Sequence, residues 1–208
     1  MVKRAGWSAA ALAHLLAIAV ATLWGAPVLG AETVHLFLKV NGTPVAGEST
    51  QVSLDRQDSI ECLSFSQAAS LPTDAATTMA TGRRQYDPIT IRKRVDRSSP
   101  LLIQALARNQ VAEGTFRFYR PNPSGDGTTQ QFFTVEFRKG RIVHYRLIVP
   151  DVLDPSSAPL PAMEEVRIVF QTITWKYEPL GVAFEDTLNP IREAEPLVQG
   201  RSTTEGKE

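Results

Sequence analysis

The chain has 208 residues, a length that predicts one domain with short appendages. Apolar residues make up 43% of it and charged residues 21%, an ordinary globular composition that argues against global disorder, collagen-like structure and coiled coil. The 22 basic residues balance the 22 acidic ones, so the net charge of zero argues against a nucleic-acid protein held by a strong basic field.

The first 31 residues are typical of a secretory signal peptide. The basic pair Lys3-Arg4 precedes an apolar run, Ala9–Trp24, and small residues suited to signal peptidase follow at Gly30 and Ala31. The apolar run is shorter than the ~20 residues that span a bilayer comfortably. We therefore expect residues 1–31 to be cleaved, which makes the protein secreted or periplasmic without a stable membrane span. An uncleaved membrane anchor is the alternative.

Alternating apolar residues predict strands in the first half of the mature chain. A turn signal at Asn41-Gly42 follows the first strand, and the second strand is expected to place Leu63 and Phe65 inward. Residues 67–85 are rich in Ala, Thr, Ser and Gly and are predicted to form a long loop. The three predicted strands are Thr33–Val40, Ser59–Ser66 and Pro88–Val95.

One helix is predicted after the third strand. Ser99 fits the N-cap position, and Pro100 fits the first helical position, where a missing N–H costs no hydrogen bond. Leu102, Ala105 and Leu106 then follow helical spacing, which predicts one apolar stripe along the helix.

Strands are predicted again after the helix. A tight hairpin is expected at Arg138–Arg141, with Gly140 free to take a positive φ. The apolar residues of the last strand change face, which a bulge near Gln171 would explain. Periodicity is lost over residues 181–208, which we expect to form a flexible tail. The predicted strands are Gly114–Arg120, Gln130–Arg138, Arg141–Val149 and Met163–Tyr177.

Many strands joined by hairpin-length links, with one helix among them, predict a mainly β fold. We expect an antiparallel β-barrel with one flanking α-helix, because closure hides the strand edges. The lack of alternation between strands and helices argues against a doubly wound fold. The predicted organisation is a signal peptide over residues 1–31, a β-barrel domain over residues 32–180 and the tail over residues 181–208.

Residues suited to catalysis are few in the mature chain. Cys62 is the only cysteine, so neither an intramolecular disulfide nor a zinc cluster is expected. Cys62 and His144 could form a nucleophile pair, and His35 and His144 could help to hold a metal. Each of them lies in a predicted strand beside apolar or aromatic residues, so we interpret all three as structural. We expect no catalytic residue, no metal and no cofactor.

Two runs of charged residues are also interpreted as structural. Glu164 and Glu165 are adjacent on a strand, so their side chains point to opposite faces and cannot share a site. The run Arg92-Lys93-Arg94 could contribute to a positive surface, but a solvated strand face is the preferred interpretation.

Four segments of the mature chain together form a recognisable pattern. They are Phe37–Gly42 with Gly47–Thr50, Ile60–Ser66, Arg94–Leu102, and Met163–Phe170 continuing to Tyr177-Glu178-Pro179. The first is an apolar strand that ends in lysine and a glycine turn, followed by Gly-Glu-Ser, and the third enters the only predicted helix. In this order, over roughly residues 34–180, they resemble the haemolysin-coregulated protein (Hcp) family, the tube subunit of the type VI secretion system.

The resemblance implies a structural protein with a β-barrel and a flanking helix. Hcp subunits resemble phage tail-tube proteins and form hexameric rings, which stack into a hollow tube that is ejected with its cargo. The implied partners are further copies of this chain, the tip protein and sheath of the apparatus, and effector cargo. The resemblance also places Gly47, Glu48, Ser49 and Thr50 in a protruding loop at the ring-stacking contact. A plain surface loop is the alternative.

The predicted leader departs from the family pattern. Hcp proteins are normally leaderless and assemble in the cytoplasm before secretion. A misassigned start is one explanation, with a valine start near Val28 or Val34. Two other functions therefore stay open. One is an exported β-barrel binding module that has lost tube assembly, and the other is a secreted enzyme that depends on His35, His144 or Cys62.

Overall fold

The computed structural model describes residues 32–157 and 159–188. The predicted signal peptide, and residues 189–208 of the predicted tail, lie outside this part of the chain. The described residues form eleven β-strands and one α-helix, α1 (Ser99–Ala107). The strands are β1 (Thr33–Val40), β2 (Thr43–Val45), β3 (Ile60–Ser66), β4 (Ala69–Ser70), β5 (Gln85–Tyr86), β6 (Ile89–Arg94), β7 (Ala112–Pro121), β8 (Thr129–Ile148), β9 (Met163–Val169), β10 (Thr172–Tyr177) and β11 (Val182–Thr187).

Six strands form a closed ring of hydrogen-bonded neighbours in the order β8, β7, β1, β3, β6, β9. The ring closes because β9 pairs antiparallel with the second half of β8, where Arg141 lies opposite Val169. β1 pairs antiparallel with β3 and β7, and β6 pairs antiparallel with β3 and β9. This ring-like antiparallel sheet confirms the predicted mainly β fold with one helix. Closure gives each member of the ring a partner on both sides.

The interior of the ring is mainly apolar, as the alternation in β1 predicts. Leu36 and Val40 are buried, whereas Lys39 between them is exposed. Leu102 and Ala105 of α1 pack into the same core, as their helical spacing predicts. Each fully buried large side chain contributes about 1.5–3 kcal/mol. Neighbouring strands supply Ile60, Ile89, Ile91, Phe116, Phe137, Val166 and Ile168.

Two strands lie outside the ring, β10 and β11, and we call them the wing. β10 pairs with the first half of β8, and β11 pairs with β10, so Trp175 lies opposite both Val135 and Phe184. The prediction of a tail without strands from residue 181 is therefore wrong for Val182–Thr187. This segment has too few alternating apolar residues to show a period, and it becomes a strand by folding back onto β10 through Gly181, whose φ is 65°.

The hairpin predicted at Arg138–Arg141 does not form. β8 continues through this segment as one strand of 20 residues. Lys139, not Gly140, takes the left-handed conformation, with φ 50°. Gly140 is required for space instead, because a Cβ there would lie 2.8 Å from the Phe137 ring and from the Val169 carbonyl oxygen. In the sequence, a glycine that is needed for close packing therefore looked the same as a glycine in a turn.

The change of face in the last predicted strand is confirmed, but it needs no bulge near Gln171. The structure has two strands here, β9 and β10, and their buried apolar residues lie at even and odd positions respectively. Both pair with β8 in one register across the junction, with Val169 opposite Arg141 and Thr172 opposite Arg138. Two residues separate these pairs on each strand. The inward face therefore changes at the same point on β8 and on its partners β9 and β10.

β3 contains a bulge that the sequence pattern does not show. Its pairing with β6 shifts register between Cys62 and Ser64, so Leu63 is the extra residue. Leu63 is consequently 45% exposed, and the prediction that it points inward is wrong. Phe65, beyond the bulge, packs against the core as predicted.

The N-cap predicted for the helix is wrong. Ser98, not Ser99, stands at the N-cap, and it makes no side-chain hydrogen bond to the helix. The Ser99 hydroxyl accepts a hydrogen bond from the Asp96 N–H at 3.0 Å and donates one to Glu164 Oε1 at 3.0 Å. A buried carboxylate thus takes the hydroxyl away from capping. Pro100 is the second residue of α1, one position later than predicted, where its missing N–H still costs no helical hydrogen bond.

The long loop predicted over residues 67–85 is confirmed. Residues 67–85 form a long connection whose regular structure is limited to the short antiparallel pair of β4 and β5. Arg120–Gln130 belong to a second, smaller compact unit at the turn between β7 and β8. Within that turn the Thr128 N–H donates to Asp126 Oδ1 at 2.8 Å. No helix in the described part of the chain is long and apolar enough to cross a bilayer.

Candidate functional site

The four residues predicted at a stacking contact lie in the irregular segment after β2. Their exposure alternates: Gly47 and Ser49 are buried, whereas Glu48 and Thr50 are exposed. The structure therefore divides the predicted site into two residues that anchor the loop and two that present side chains to solvent.

The anchoring residues attach the loop to the start of β3. The Gly47 N–H donates to the Asp58 carbonyl at 2.7 Å, and the Ser49 N–H donates to the Ser59 carbonyl at 3.2 Å. The Asp58 N–H donates back to the Ser49 carbonyl at 3.0 Å. A Cβ on Gly47 would lie 2.4 Å from the Ser59 carbonyl oxygen, so only glycine fits this close approach. We call this segment, residues 46–52, the anchored loop.

Arg97 fixes the exposed side of the anchored loop. Its backbone N–H donates to Glu48 Oε1 at 3.1 Å, and its guanidinium donates to the Gly47 carbonyl at 2.5 Å and to Asp58 Oδ1 at 2.6 Å. The Glu48 carboxylate is therefore held at the surface as a fixed negative charge. Sequence reasoning missed Arg97 and Asp58 as members of this site, because only the fold brings them beside the loop.

A shallow cavity of about 300 Å³ lies next to the anchored loop. Its lining joins the loop to β3 and to the end of β6, through Glu48, Thr50, Leu63 and Arg94. The bulge that exposes Leu63 thus gives this surface an apolar centre between charged groups. Such a mixture suits a contact with another protein surface.

A buried ion pair lies behind this surface, between β6 and β9. Lys93 is fully buried, with its Nζ 2.5 Å from Glu164 Oε1 and 2.8 Å from Asp96 Oδ1. The interpretation of residues 92–94 as a solvated face is therefore wrong for Lys93, which lies on the inward face with Ile89 and Ile91. The Tyr145 hydroxyl donates to Glu164 Oε2 at 2.5 Å.

Glu164 and Glu165 do not share a site, as predicted. Glu164 faces the buried network, whereas Glu165 accepts from the Arg167 guanidinium at 2.9 Å and from Arg92 at 3.4 Å. These two arginines and neighbouring hydrogen bonds lower the pKa of Glu165, the largest contribution being that of Arg167.

His35 is buried on the face of β1 opposite to Leu36 and Leu38, where it contacts Ser59 and the Tyr119 ring. The Ser59 hydroxyl donates to the Arg56 carbonyl at 2.6 Å, so its 2.9 Å contact with His35 Nδ1 is one in which Nδ1–H donates. Nε2 is buried and has no hydrogen-bond partner among the described residues. Burial, and to a smaller extent the Arg56 guanidinium, lower the pKa of His35 to about 4. His35 is therefore a neutral core residue at physiological pH.

The other two candidate catalytic residues, Cys62 and His144, have different surroundings. Cys62 lies in the core, and burial raises the pKa of its thiol to about 12, so it is a poor nucleophile. His144 is half-buried on β8, beside a register shift. Within the described ranges, no three His, Cys, Asp or Glu side chains gather as a metal site would require.

The fold and the site together define a rigid β-structured subunit that carries an anchored loop on its surface. The family model described as "Type VI secretion system effector, Hcp" matches residues 37–177. This match covers more than half of the chain, so the protein belongs to the Hcp family, and the resemblance drawn from the sequence is confirmed.

Individual relatives agree with this assignment. The "Major exported protein" of Pseudomonas aeruginosa is 26% identical over 161 residues, which cover 72% of this chain and 92% of that protein. The structure of an Hcp1 double mutant from E. coli EAEC 042 is 26% identical, with a TM-score of 0.65, and the match covers 76% of this chain and 99% of that one. The secreted protein Hcp3 from Pseudomonas aeruginosa is 18% identical, with a TM-score of 0.61 and coverage of 77% and 100%, and shows the fold alone.

Proposed function

We propose that this chain is the ring-forming subunit of a type VI secretion tube, assembled as hexameric rings that stack into a hollow, exported structure. Family membership carries the proposal, because Hcp proteins are the exported ring- and tube-forming components of this system. The closed six-strand sheet within each subunit supports it, because each of these strands has a partner on both sides and the sheet can serve as a rigid element of the tube wall. Effector cargo, the tip protein and the sheath are the partners that this function requires.

We further propose that the anchored loop makes the contact between stacked rings. Glu48 and Thr50 are exposed on a backbone that hydrogen bonds hold to β3, so they can meet another ring without losing much conformational freedom. The fixed Glu48 carboxylate needs a positively charged or hydrogen-bond-donating group on the opposing ring. Gly47 and Ser49 act through the loop's position and not through contact.

Export by a cleaved leader is part of the proposal. The Pseudomonas relative is named as an exported protein, and the first 31 residues here have the composition of a signal peptide. The mature protein would then assemble outside the inner membrane.

Electron microscopy of the purified chain with Glu48 variants tests ring formation and stacking separately. The wild-type chain is expected to form hexameric rings and tubes. Glu48→Lys reverses the charge and is expected to leave single rings with at least tenfold fewer tubes, whereas Glu48→Gln keeps an acceptor for the Arg97 N–H and retains more of them.

The matched control is Glu113→Lys, a charge reversal at an exposed position on β7. It is expected to leave tubes unchanged. Tubes in normal number with Glu48→Lys would refute the stacking role of the loop, and a wild-type chain that stays monomeric would refute the ring function. N-terminal sequencing of the same samples shows whether the chain has been processed after residue 30 or 31.

A further inference from the structure

The wing has an apolar face that is exposed to solvent. Val182 and Phe184 are 64% and 63% exposed and share a face with Trp175. The Trp175 ring stacks on Phe184, with the ring centroids 5.9 Å apart. The opposite face of the same strands is polar and carries the ion pair between Arg138 and Glu185. An apolar face of this kind on a soluble domain marks an interaction surface.

The edge of the wing is also open. β11 pairs with β10 alone, so its outer backbone N–H and C=O groups have no strand partner in the part of the chain that the structure describes. An open strand edge beside exposed aromatic rings suits an extended protein segment, which can use the backbone groups and the rings together.

The wing is held rigidly. Asp186 is buried and accepts hydrogen bonds from the Tyr86 hydroxyl at 2.5 Å and from the Arg84 guanidinium. The Tyr86 ring stacks on Trp175, with the centroids 5.9 Å apart. Because these contacts fix β11 before any partner arrives, binding there loses little conformational entropy.

A second apolar surface follows the far end of β8. Val149, Val152 and Leu153 are exposed, and Leu153 is 88% exposed. Asp151 and Asp154 lie on either side of Val152 and Leu153, and their carboxylates accept hydrogen bonds only within their own turns among the described residues. The surface is therefore an apolar segment between two unpaired negative charges.

The charges beside the wing are complementary to this segment. A cavity of about 380 Å³ lies there, lined by Arg83, Arg84, Tyr86 and Leu188. Arg83 is exposed and forms no ion pair within the described ranges. A positive cavity beside an apolar strand thus matches an apolar segment flanked by carboxylates.

We propose that neighbouring subunits of a hexameric ring touch through the wing. The wing of one copy accepts segment 149–153 of the next copy. The inference rests on the proposed function. A ring needs a head-to-tail contact between two different surfaces of each subunit, and the wing and this segment are two such surfaces. The wing pairs with the first half of β8, whereas the segment follows the second half, which pairs with β9, so the two surfaces belong to different ends of this strand.

Light scattering of full-chain variants tests the proposal. Phe184→Asp damages the acceptor and Leu153→Asp damages the occupant, so each variant alone is expected to be monomeric, about sixfold lighter than the wild-type ring. Each variant keeps one intact half of the contact, so an equal mixture is expected to form dimers and no larger species. Met79→Asp, at a residue that is 71% exposed elsewhere, is the matched control and is expected to form rings.

Cysteine cross-linking provides a second readout that does not depend on a disruptive charge. The native Cys62 is buried, so it contributes little background. Mixed Phe184→Cys and Leu153→Cys chains are expected to give disulfide-linked dimers, and Phe184→Cys mixed with Met79→Cys is expected to give none.

The outcomes separate this inference from the proposed function. A monomeric wild-type chain refutes the ring function itself. Wild-type rings that persist with both Asp variants, or the absence of a disulfide between the Phe184→Cys and Leu153→Cys chains, leave the ring function intact and overturn the lateral contact. A thiol at position 184 that reacts with maleimide only after residues 189–208 are removed would show that the chain's own end covers the wing, which also overturns the proposal.

Discussion

Two carboxylates in this protein are each paired with a cation, but in different surroundings. Glu164, in the closed ring, is fully buried with Lys93, and their charged atoms are 2.5 Å apart. Asp186, in the wing, is also buried, but its partner Arg84 is about half exposed. Both members of the ring pair are buried, whereas only Asp186 is buried in the wing pair.

The difference shows that the two ion pairs respond differently to solvent, although both hold their part of the fold in place. Removal of either partner from the ring leaves a charge that water cannot reach, so the pair enforces one arrangement of β6, β9 and α1. Arg84 can be solvated when its bond to Asp186 breaks, and salt screens that bond. The stability of the closed ring is therefore expected to be insensitive to salt, whereas that of the wing is expected to depend on it.

Loss of the Lys93 charge is expected to give the largest effect. Lys93→Met leaves Glu164 buried without a cation, and we expect the free energy of unfolding to fall by about 3–5 kcal/mol in urea titrations. Arg92→Met removes the neighbouring, exposed arginine from Glu165 and is the control, with an expected loss below about 1 kcal/mol. Equal losses in the two variants would contradict the comparison, and Lys93→Met with Glu164→Leu is expected to regain much of the stability.

Acid is expected to destabilise the ring and the wing in different pH ranges. The pKa of His35 is about 4 in the folded chain and about 6.5 when unfolded, so only the unfolded chain binds this proton between those values. We therefore expect about 3 kcal/mol to be lost between pH 6.5 and pH 4, with the full contribution present above pH 6.5. Asp186, whose pKa Arg84 lowers from 3.8, instead loses its contribution at lower pH.

Urea titrations between pH 7 and pH 4 measure the His35 effect. His35→Gln is expected to remove most of the loss in this range, because glutamine does not titrate. Gln57→Asn, a conservative change at an exposed residue that does not titrate, is the control and is expected to keep the wild-type slope. The idea fails if wild type and His35→Gln lose stability in parallel.

The sequence was sufficient where one strand obeyed one period. The alternation of Thr33–Val40 gave both the strand and its buried face. It was insufficient where a neighbour changes the geometry, as at Leu63, where pairing with β6 inserts a bulge, and at Gly140, where a close approach to Val169 uses a glycine without a turn. Neither feature leaves a periodic signal in a single chain.

The buried ion pair was present in the pattern but was overlooked. Lys93 shares its strand parity with the buried Ile89 and Ile91, and Glu164 shares its parity with Val166. A charged residue on the inward face of each of two strands predicts a pair, and the register indeed places Lys93 opposite Glu164. Strand parity could not identify Arg97 as part of the anchored-loop site, because only the fold brings Arg97 beside the loop.

The two tyrosines give the smallest and most direct comparison of ring and wing. Tyr145 donates to Glu164 and Tyr86 donates to Asp186, each at 2.5 Å, so Tyr→Phe removes one similar hydrogen bond in each region. Glu164 lies in the fully buried network, and we expect Tyr145→Phe to cost about 1.5–3 kcal/mol. Tyr86→Phe is expected to cost less than about 1 kcal/mol, because the half-exposed Arg84 still serves Asp186.

The salt dependence of stability in the two tyrosine variants shows whether burial, and not only the strength of the hydrogen bond, causes the difference. Raising the salt concentration from 0.1 M to 1 M shortens the Debye length from about 10 Å to about 3 Å. We expect this to weaken the remaining Arg84–Asp186 pair in Tyr86→Phe, so that urea titrations show a salt-dependent loss, while the loss in Tyr145→Phe stays constant because Lys93 and Glu164 are out of contact with the ions. Identical losses with identical salt dependence would mean that the wing pair is as closed to solvent as the ring pair, and the distinction between the two ion pairs would not hold.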